Sequence, residues 1–167
     1  MLKINKKIMH KNSKAFTIIE LLVVITIIGI LTTISVFSFK RVQVSARDTQ
    51  RSSKTTVITE ALEDYYSKYG EYPSCNTMSQ AADTIATNTL IGIDSDVLTT
   101  PSSNNGANSI LPACADLTGS TDAFAYVGDT STACLTNTGQ TSACTQFTLK
   151  YREESSGNII LITSRHR

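Results

Sequence analysis

Histidine is nearly absent from this chain of 167 residues: two occur, at positions 10 and 166, one toward each end. Without an internal imidazole there is no general base of the usual kind and no His-centred metal site. Serines are abundant but have no base beside them in any recognisable pattern. A C-x-x-C knuckle is also missing. The four cysteines, Cys75, Cys114, Cys134 and Cys144, are spaced 39, 20 and 10 positions apart, which argues against zinc. Asp94, Asp96, Asp116, Asp122 and Asp129 are oxygen donors of the kind calcium takes, yet their spacing matches no EF-hand loop and reads better as solvated loop acids. The residues suggest neither an enzyme nor a cofactor.

Acid is lacking in one place and base in another. Positions 1 to 15 hold Lys3, Lys6, Lys7, Lys11 and Lys14 and no Asp or Glu; beyond them ten basic and fourteen acidic residues remain, a net charge of -4 on 152 residues. The one close basic cluster, Arg47, Arg51 and Lys54, has polar neighbours and no interleaved aromatics. It reads as a solvated helix face rather than a nucleic-acid stripe, so DNA binding is not indicated by a basic patch.

What the chain does have is a long apolar run. Residues 16 to 39 carry no charge except Glu20 and are followed at once by Lys40 and Arg41. As a helix these 24 residues would be about 36 Å long, enough to cross a hydrocarbon core of roughly 30 Å with some tilt. The basic N-terminal flank keeps that end in the cytoplasm and puts the C-terminus outside. An ionised carboxylate on a lipid-facing helix costs about 2–3 kcal/mol even on lenient insertion scales, so Glu20 needs a partner or a purpose. A conventional signal peptide cut before Arg47, after the small residues Val44 and Ala46, would have far too long an apolar region and would contain Glu20.

Beyond Arg41 no Pro or Gly occurs until Gly70, and Gly70 with Pro73 makes a strong helix stop. Val57, Ile58, Ala61, Leu62, Tyr65, Tyr66 and Tyr69 recur at helical spacing and form an apolar stripe, with Asp64 and Lys68 able to pair on the other side. The polar stretch QRSSKTT is either solvated helix or a local break. The reading is one nearly continuous helix over residues 16 to 69. Residues 74 to 145 then hold 23 Ser or Thr among 72 and five glycines, a loop-rich texture with weak helical character at Ala82, Ile85, Ala86 and Leu90. AFAYV at 123 to 127 reads as a buried strand. QFTLKY at 146 to 151 alternates with period two, and a turn separates it from NIILITS, making a hairpin that the 57 to 69 stripe would cover. The cysteines are even in number and all lie beyond the apolar run, as disulfides in an oxidising compartment would. Four cysteines allow three pairings. Cys75–Cys114 with Cys134–Cys144 closes two local loops and is preferred, although the spacing alone does not decide it.

Lys14, Phe16, Thr17, Glu20 and the Leu/Val/Ile run with Gly29 inside it resemble a type IV prepilin or a type II secretion pseudopilin. The stretch ending in ALEDYYSKYGEYP is similar to the end of the long helix in such proteins. The resemblance implies an α+β pilin-like fold: a cleaved basic leader (1–15), a transmembrane and filament-core helix (16–39), an amphipathic continuation and stop (40–73), and an extracytoplasmic loop-rich and β-hairpin region with disulfide-braced loops (74–167). It implies cleavage between Ala15 and Phe16 by a prepilin peptidase that also methylates the new N-terminus, residence in the bacterial inner membrane, and self-assembly on a membrane platform into a surface filament. In a pseudopilin the filament would be periplasmic. Glu20 of one subunit would reach the Phe16 amino group of a neighbour. The family usually has glycine where this chain has Ala15, and commonly proline where it has Phe37. A membrane-anchored binding module is the alternative of another class.

Overall fold

A computed structural model describes residues 16–101, 109–111, 115–118, 122–129, 134 and 144–166, without the Phe37 side chain. The chain divides into two compact units, residues 1–40 and residues 41–167. Helix α1 (Ile18–Tyr69, 52 residues) contributes to both. QRSSKTT is helical throughout.

In the second unit α1 buries Arg51, Thr55, Ile58 and Leu62, a 4-3-4 spacing that keeps them on one side of a helix. Fully burying Ile58 or Leu62 contributes about 1.5–3 kcal/mol each. Thr55 tolerates burial because its hydroxyl donates to the carbonyls of Arg51 and Ser52 at 3.0 and 2.9 Å. The expected stripe is thus shifted. Ala61, Tyr65 and Tyr66 pack at its edge, while Val57 and Tyr69 are 38% and 49% exposed, because a seven-member stripe is wider than the surface it covers. Asp64 and Lys68 do not form the anticipated ion pair; Lys68 Nζ instead lies 4.9 Å from the centre of the Tyr69 ring. Gly70 ends the helix at φ +75°, its N–H bonded to the Tyr66 carbonyl at 2.7 Å. That left-handed position favours glycine.

Two short helices follow, α2 (Cys75–Met78), capped by Ser74, and α3 (Ala82–Asn88). A 3₁₀ turn at Ser95–Leu98 is capped by Asp94. Ala82, Ile85, Ala86 and Leu90 are all buried, as their spacing suggests. The sheet has three antiparallel strands in the order β1 (Ala125–Gly128), β2 (Phe147–Arg152), β3 (Ile159–Thr163). The expected hairpin is β2–β3, and the AFAYV segment supplies β1. Phe147, Leu149 and Tyr151 alternate inward. They meet Ile58, Leu62, Tyr72 and Tyr126 in one core. Tyr72 stands edge-on to Phe147 at 4.8 Å, and the buried Tyr126 hydroxyl donates to the Pro73 carbonyl at 2.7 Å, so neither tyrosine is buried without a use for its polar tip.

Cys134 and Cys144 form a disulfide with Cα atoms 4.8 Å apart. Cys75 is disulfide-bonded too; Cys114, its expected partner, lies outside the described residues. Gly128 lies against these sulfurs. A Cβ there would collide with Cys134 Sγ and come within 3.2 Å of Cys144 Sγ and 3.6 Å of Cys75 Sγ.

Candidate assembly helix and its anchored head

The first unit exposes its apolar side chains on every side. From Phe16 (83% exposed) through Ile18 to Phe39 the described large hydrophobic side chains are about half to nine-tenths accessible. Among the described residues this is the one helix long and apolar enough to cross a membrane. Four of its hydroxyls bond back to the helix's own carbonyls. Thr26 donates to the Val23 carbonyl, Thr32 to Ile28, Thr33 to Gly29 and Ser35 to Leu31, at 2.7–2.9 Å. Such back-bonding lets a hydroxyl enter an apolar medium without leaving a donor unpaired.

Glu20 belongs to a capping box. Thr17 immediately precedes the first helical residue, and the Glu20 N–H donates to its hydroxyl at 3.3 Å. In return Glu20 Oε2 accepts from the Thr17 N–H at 2.8 Å and the Thr17 hydroxyl at 2.7 Å. Two otherwise orphaned N–H groups at the helix start are thereby satisfied. The T-x-x-E spacing before an apolar run is the sequence signal for this arrangement. Phe16, just before the cap, is exposed; Ala15 lies outside the described residues.

The basic cluster on α1 is not a solvated face. Arg51 is 4% exposed and forks between Asp48 Oδ1 (2.9 Å) and Asp122 Oδ1 (2.9 Å), with Glu154 at 3.5 Å. Arg47 holds Glu154 in a two-point contact, and Lys54 bonds Asp96 and the Thr99 carbonyl. Asp48 in turn accepts from the backbone N–H groups of Glu154 and Ser155 at 2.7 and 2.9 Å. The helix therefore holds the 3₁₀ turn, the segment before β1 and the β2–β3 turn. Alternating charge without aromatics fits this role as well as solvation, which is why spacing alone misassigned it.

These pairs move the carboxyls. Burial pushes the Asp48 carboxyl up, but the Ser155 and Glu154 donors and the Arg51 charge outweigh it and leave it below its ordinary value. Arg47 lowers Glu154, Lys54 lowers Asp96 and Lys150 lowers Asp116, each chiefly by hydrogen bonding. The five aspartates considered for calcium are committed elsewhere. Asp94 caps the 3₁₀ turn, Asp96 and Asp116 pair with lysines, Asp122 with Arg51, and Asp129 accepts from Thr145. Among the described residues no group of three or more His, Cys, Asp or Glu could hold a metal ion.

At the other end of α1, buried Glu63 accepts from the Tyr72 hydroxyl at 3.0 Å and the Arg165 N–H at 2.9 Å. Burial, and then this hydrogen bond, push the Tyr72 phenol up to about 12. His166 stacks on Tyr66 with ring centres 4.3 Å apart. It fastens the C-terminal segment to α1.

A family model described as "Prokaryotic N-terminal methylation motif" matches residues 10–36. A 78-residue stretch is 36% identical to "Fimbrial protein" of Neisseria meningitidis serogroup A / serotype 4A (strain DSM 15465 / Z2491), covering 44% of this chain and 44% of that protein. The chain thus matches less than half the length of this curated relative. No solved structure matches it. The motif and the partial similarity support a type IV pilin-like or pseudopilin-like family without singling out a member, and the motif implies a prepilin peptidase and methyltransferase as a partner. Motif and fold point to a structural protein rather than an enzyme.

Proposed function

We propose that this chain is the precursor of a pilin-type structural subunit. It is cut between Ala15 and Phe16, held in the membrane by its apolar helix with the disulfide-bonded head outside, and assembled through that helix into a filament. The observation that carries the reading is the apolar run exposed on all sides, with one carboxylate four residues after the expected new N-terminus. Such a surface is stable only against lipid or against other copies of itself. Cleavage creates a cationic amino group on Phe16. In hydrocarbon neither that charge nor Glu20 is stable alone, and a neighbour offset along the filament axis brings them together. The similarity to a protein named as fimbrial favours a surface filament, with adhesion, motility or DNA uptake as its uses. A pseudopilin would instead build a short periplasmic filament and be missing from sheared surface material.

Mass spectrometry of protein from its native membrane should find a mature chain starting at Phe16 and carrying an N-methyl group. A chain starting at Met1 or Arg47 refutes the processing. Glu20→Gln and Glu20→Leu should both be retained in the membrane and cleaved, yet enter filaments poorly. Normal filament yield from Glu20→Leu as the sole subunit would defeat the charge pair and leave helix packing as the drive for assembly.

A further inference from the structure

A cavity of about 230 Å³ opens between the last turns of α1 and the turn that follows α3. That is below the roughly 300–1,000 Å³ of sites that hold a drug-sized molecule, and it suits one small ring. Asp64, Tyr65, Lys68 and Tyr69 make the helix wall, since residues three and four apart share a side of a helix. Tyr65 and Tyr69 have ring centres 4.5 Å apart, and Tyr69 is half exposed. Thr89 and Ile91 make the opposite wall. Their backbone is fixed, because the Thr89 and Leu90 N–H groups both donate to the Ile85 carbonyl, at 2.9 and 2.8 Å, and Leu90 is buried. Gly92, at φ +105°, then turns the chain and leaves Ile91 66% exposed at the rim.

The polar groups around this cavity are uncommitted. Thr89 is 8% exposed, and its Oγ1 has no hydrogen-bond partner among the described residues. Nor is that atom sealed in the core, so it opens on the cavity the residue lines. The Asp64 carboxylate and the Tyr65 hydroxyl likewise have no partner among the described residues, and Lys68 contacts only the Tyr69 ring. Burial and then the nearby Glu71 charge raise the Tyr65 phenol, which stays a donor near neutral pH.

We propose that this cavity binds an uncharged pyranose, the terminal sugar of a glycan. A sugar ring has a face of C–H bonds and a rim of hydroxyls. The C–H face rests on Tyr69 and Ile91, drawn by the negative face of the aromatic ring as well as by apolar contact. Asp64 accepts from the ring's hydroxyls, Lys68 and Tyr65 donate to them, and the buried Thr89 hydroxyl gains the partner it lacks. Asp64 and Glu71 outnumber Lys68 at the rim, so a phosphate or carboxylate on the ligand is repelled. The proposal gives the adhesive use of a surface filament a ligand class. It rests on the filament reading for display at the cell surface, while the site itself lies wholly within the second unit.

The test uses the full chain in detergent with disulfides intact, titrated with the methyl glycosides of galactose, mannose and glucose and read by saturation-transfer NMR. At least one should bind, and its uronic acid counterpart should bind about fivefold or more weakly. Tyr69→Ala and Thr89→Val should each raise the dissociation constant about fivefold, the loss of one ring contact or one hydrogen bond. Tyr69→Phe keeps the ring and should bind as wild type. An unchanged near-ultraviolet spectrum verifies that each variant folds. No binding of any of the three glycosides, equal binding of the uronic acid, or wild-type affinity in both Tyr69→Ala and Thr89→Val overturns the proposal. Because the measurement needs no filament, a chain that never assembles in cells would overturn the filament reading alone.

Discussion

Replacing Arg51 with leucine tests whether α1 organises the head through charge as well as through its apolar side. The guanidinium is 4% exposed and meets Asp48, Asp122 and Glu154, whose side chains are 12%, 31% and 37% exposed. Deleting one member of a fully buried ion pair costs about 3–5 kcal/mol, because the partner is left charged and unsolvated. Here Asp122 and Glu154 can rehydrate, Glu154 keeps Arg47, and Asp48 keeps two backbone donors. The expected loss is therefore about 2–3 kcal/mol. Arg51→Lys retains the charge but cannot fork between Asp48 and Asp122, and should cost about 1 kcal/mol. Urea titration of the full chain in detergent, disulfides intact, can be followed by the near-ultraviolet circular dichroism of the tyrosines, since the protein has six and no tryptophan. A leucine variant within about 0.5 kcal/mol of wild type, at an unchanged denaturant slope, would refute the reasoning.

The same network sets an acid limit. Asp48 and Glu154 have folded values below their ordinary ones, so their contribution is complete above about pH 4–5 and is lost as pH falls through the lowered folded values. The urea midpoint should be flat from pH 7 to about 5 and drop toward pH 3, less steeply in Arg47→Gln; a midpoint that rises on acidification contradicts this sign. Gly128→Ala puts a methyl group onto Cys134 Sγ, so it should either leave thiols open to alkylation or lower stability by about 1–3 kcal/mol. Full oxidation at wild-type stability would show that β1 moves aside at no cost.

The fold was legible where the periodicity was strong. A 24-residue apolar run, an unbroken stretch to Gly70 and a period-two run at 146 to 151 each permit one local structure, and α1, its stop and β2 follow within one or two residues. Less was readable where polar residues do structural work. Thr55 and Arg51 occupy core positions that a hydrophobic pattern passes over, and the stripe was drawn toward Val57 and Tyr69 instead. Whether Arg47, Arg51 and Lys54 face water depends on where Asp96, Asp122 and Glu154 arrive from 42 to 107 residues away. No local pattern encodes that. Helix α2 is four residues long, too short for any periodicity to show.

The capping box changes how Glu20 should be understood. Both Thr17 donors go to Oε2, and Oε1 accepts no hydrogen bond among the described residues. A carboxylate offers about four acceptor sites, so Thr17 stabilises the charge without saturating it. In the proposed assembly, cap and intersubunit partner would use different parts of one side chain. The cap orients the carboxylate and completes the helix start within one chain, leaving Oε1 open to the neighbour's cation that the proposed assembly would supply. Glutamine can accept through its single amide oxygen but brings two N–H groups that need acceptors. It could keep the cap only by turning that oxygen toward Thr17 and presenting N–H groups to an incoming ammonium. Leucine loses both functions. If capping alone were the purpose of Glu20, Thr17→Val should harm filaments as much as Glu20→Leu. If the charge pair is the purpose, Thr17→Val should assemble while Glu20→Leu fails, and Glu20→Gln should resemble the leucine variant.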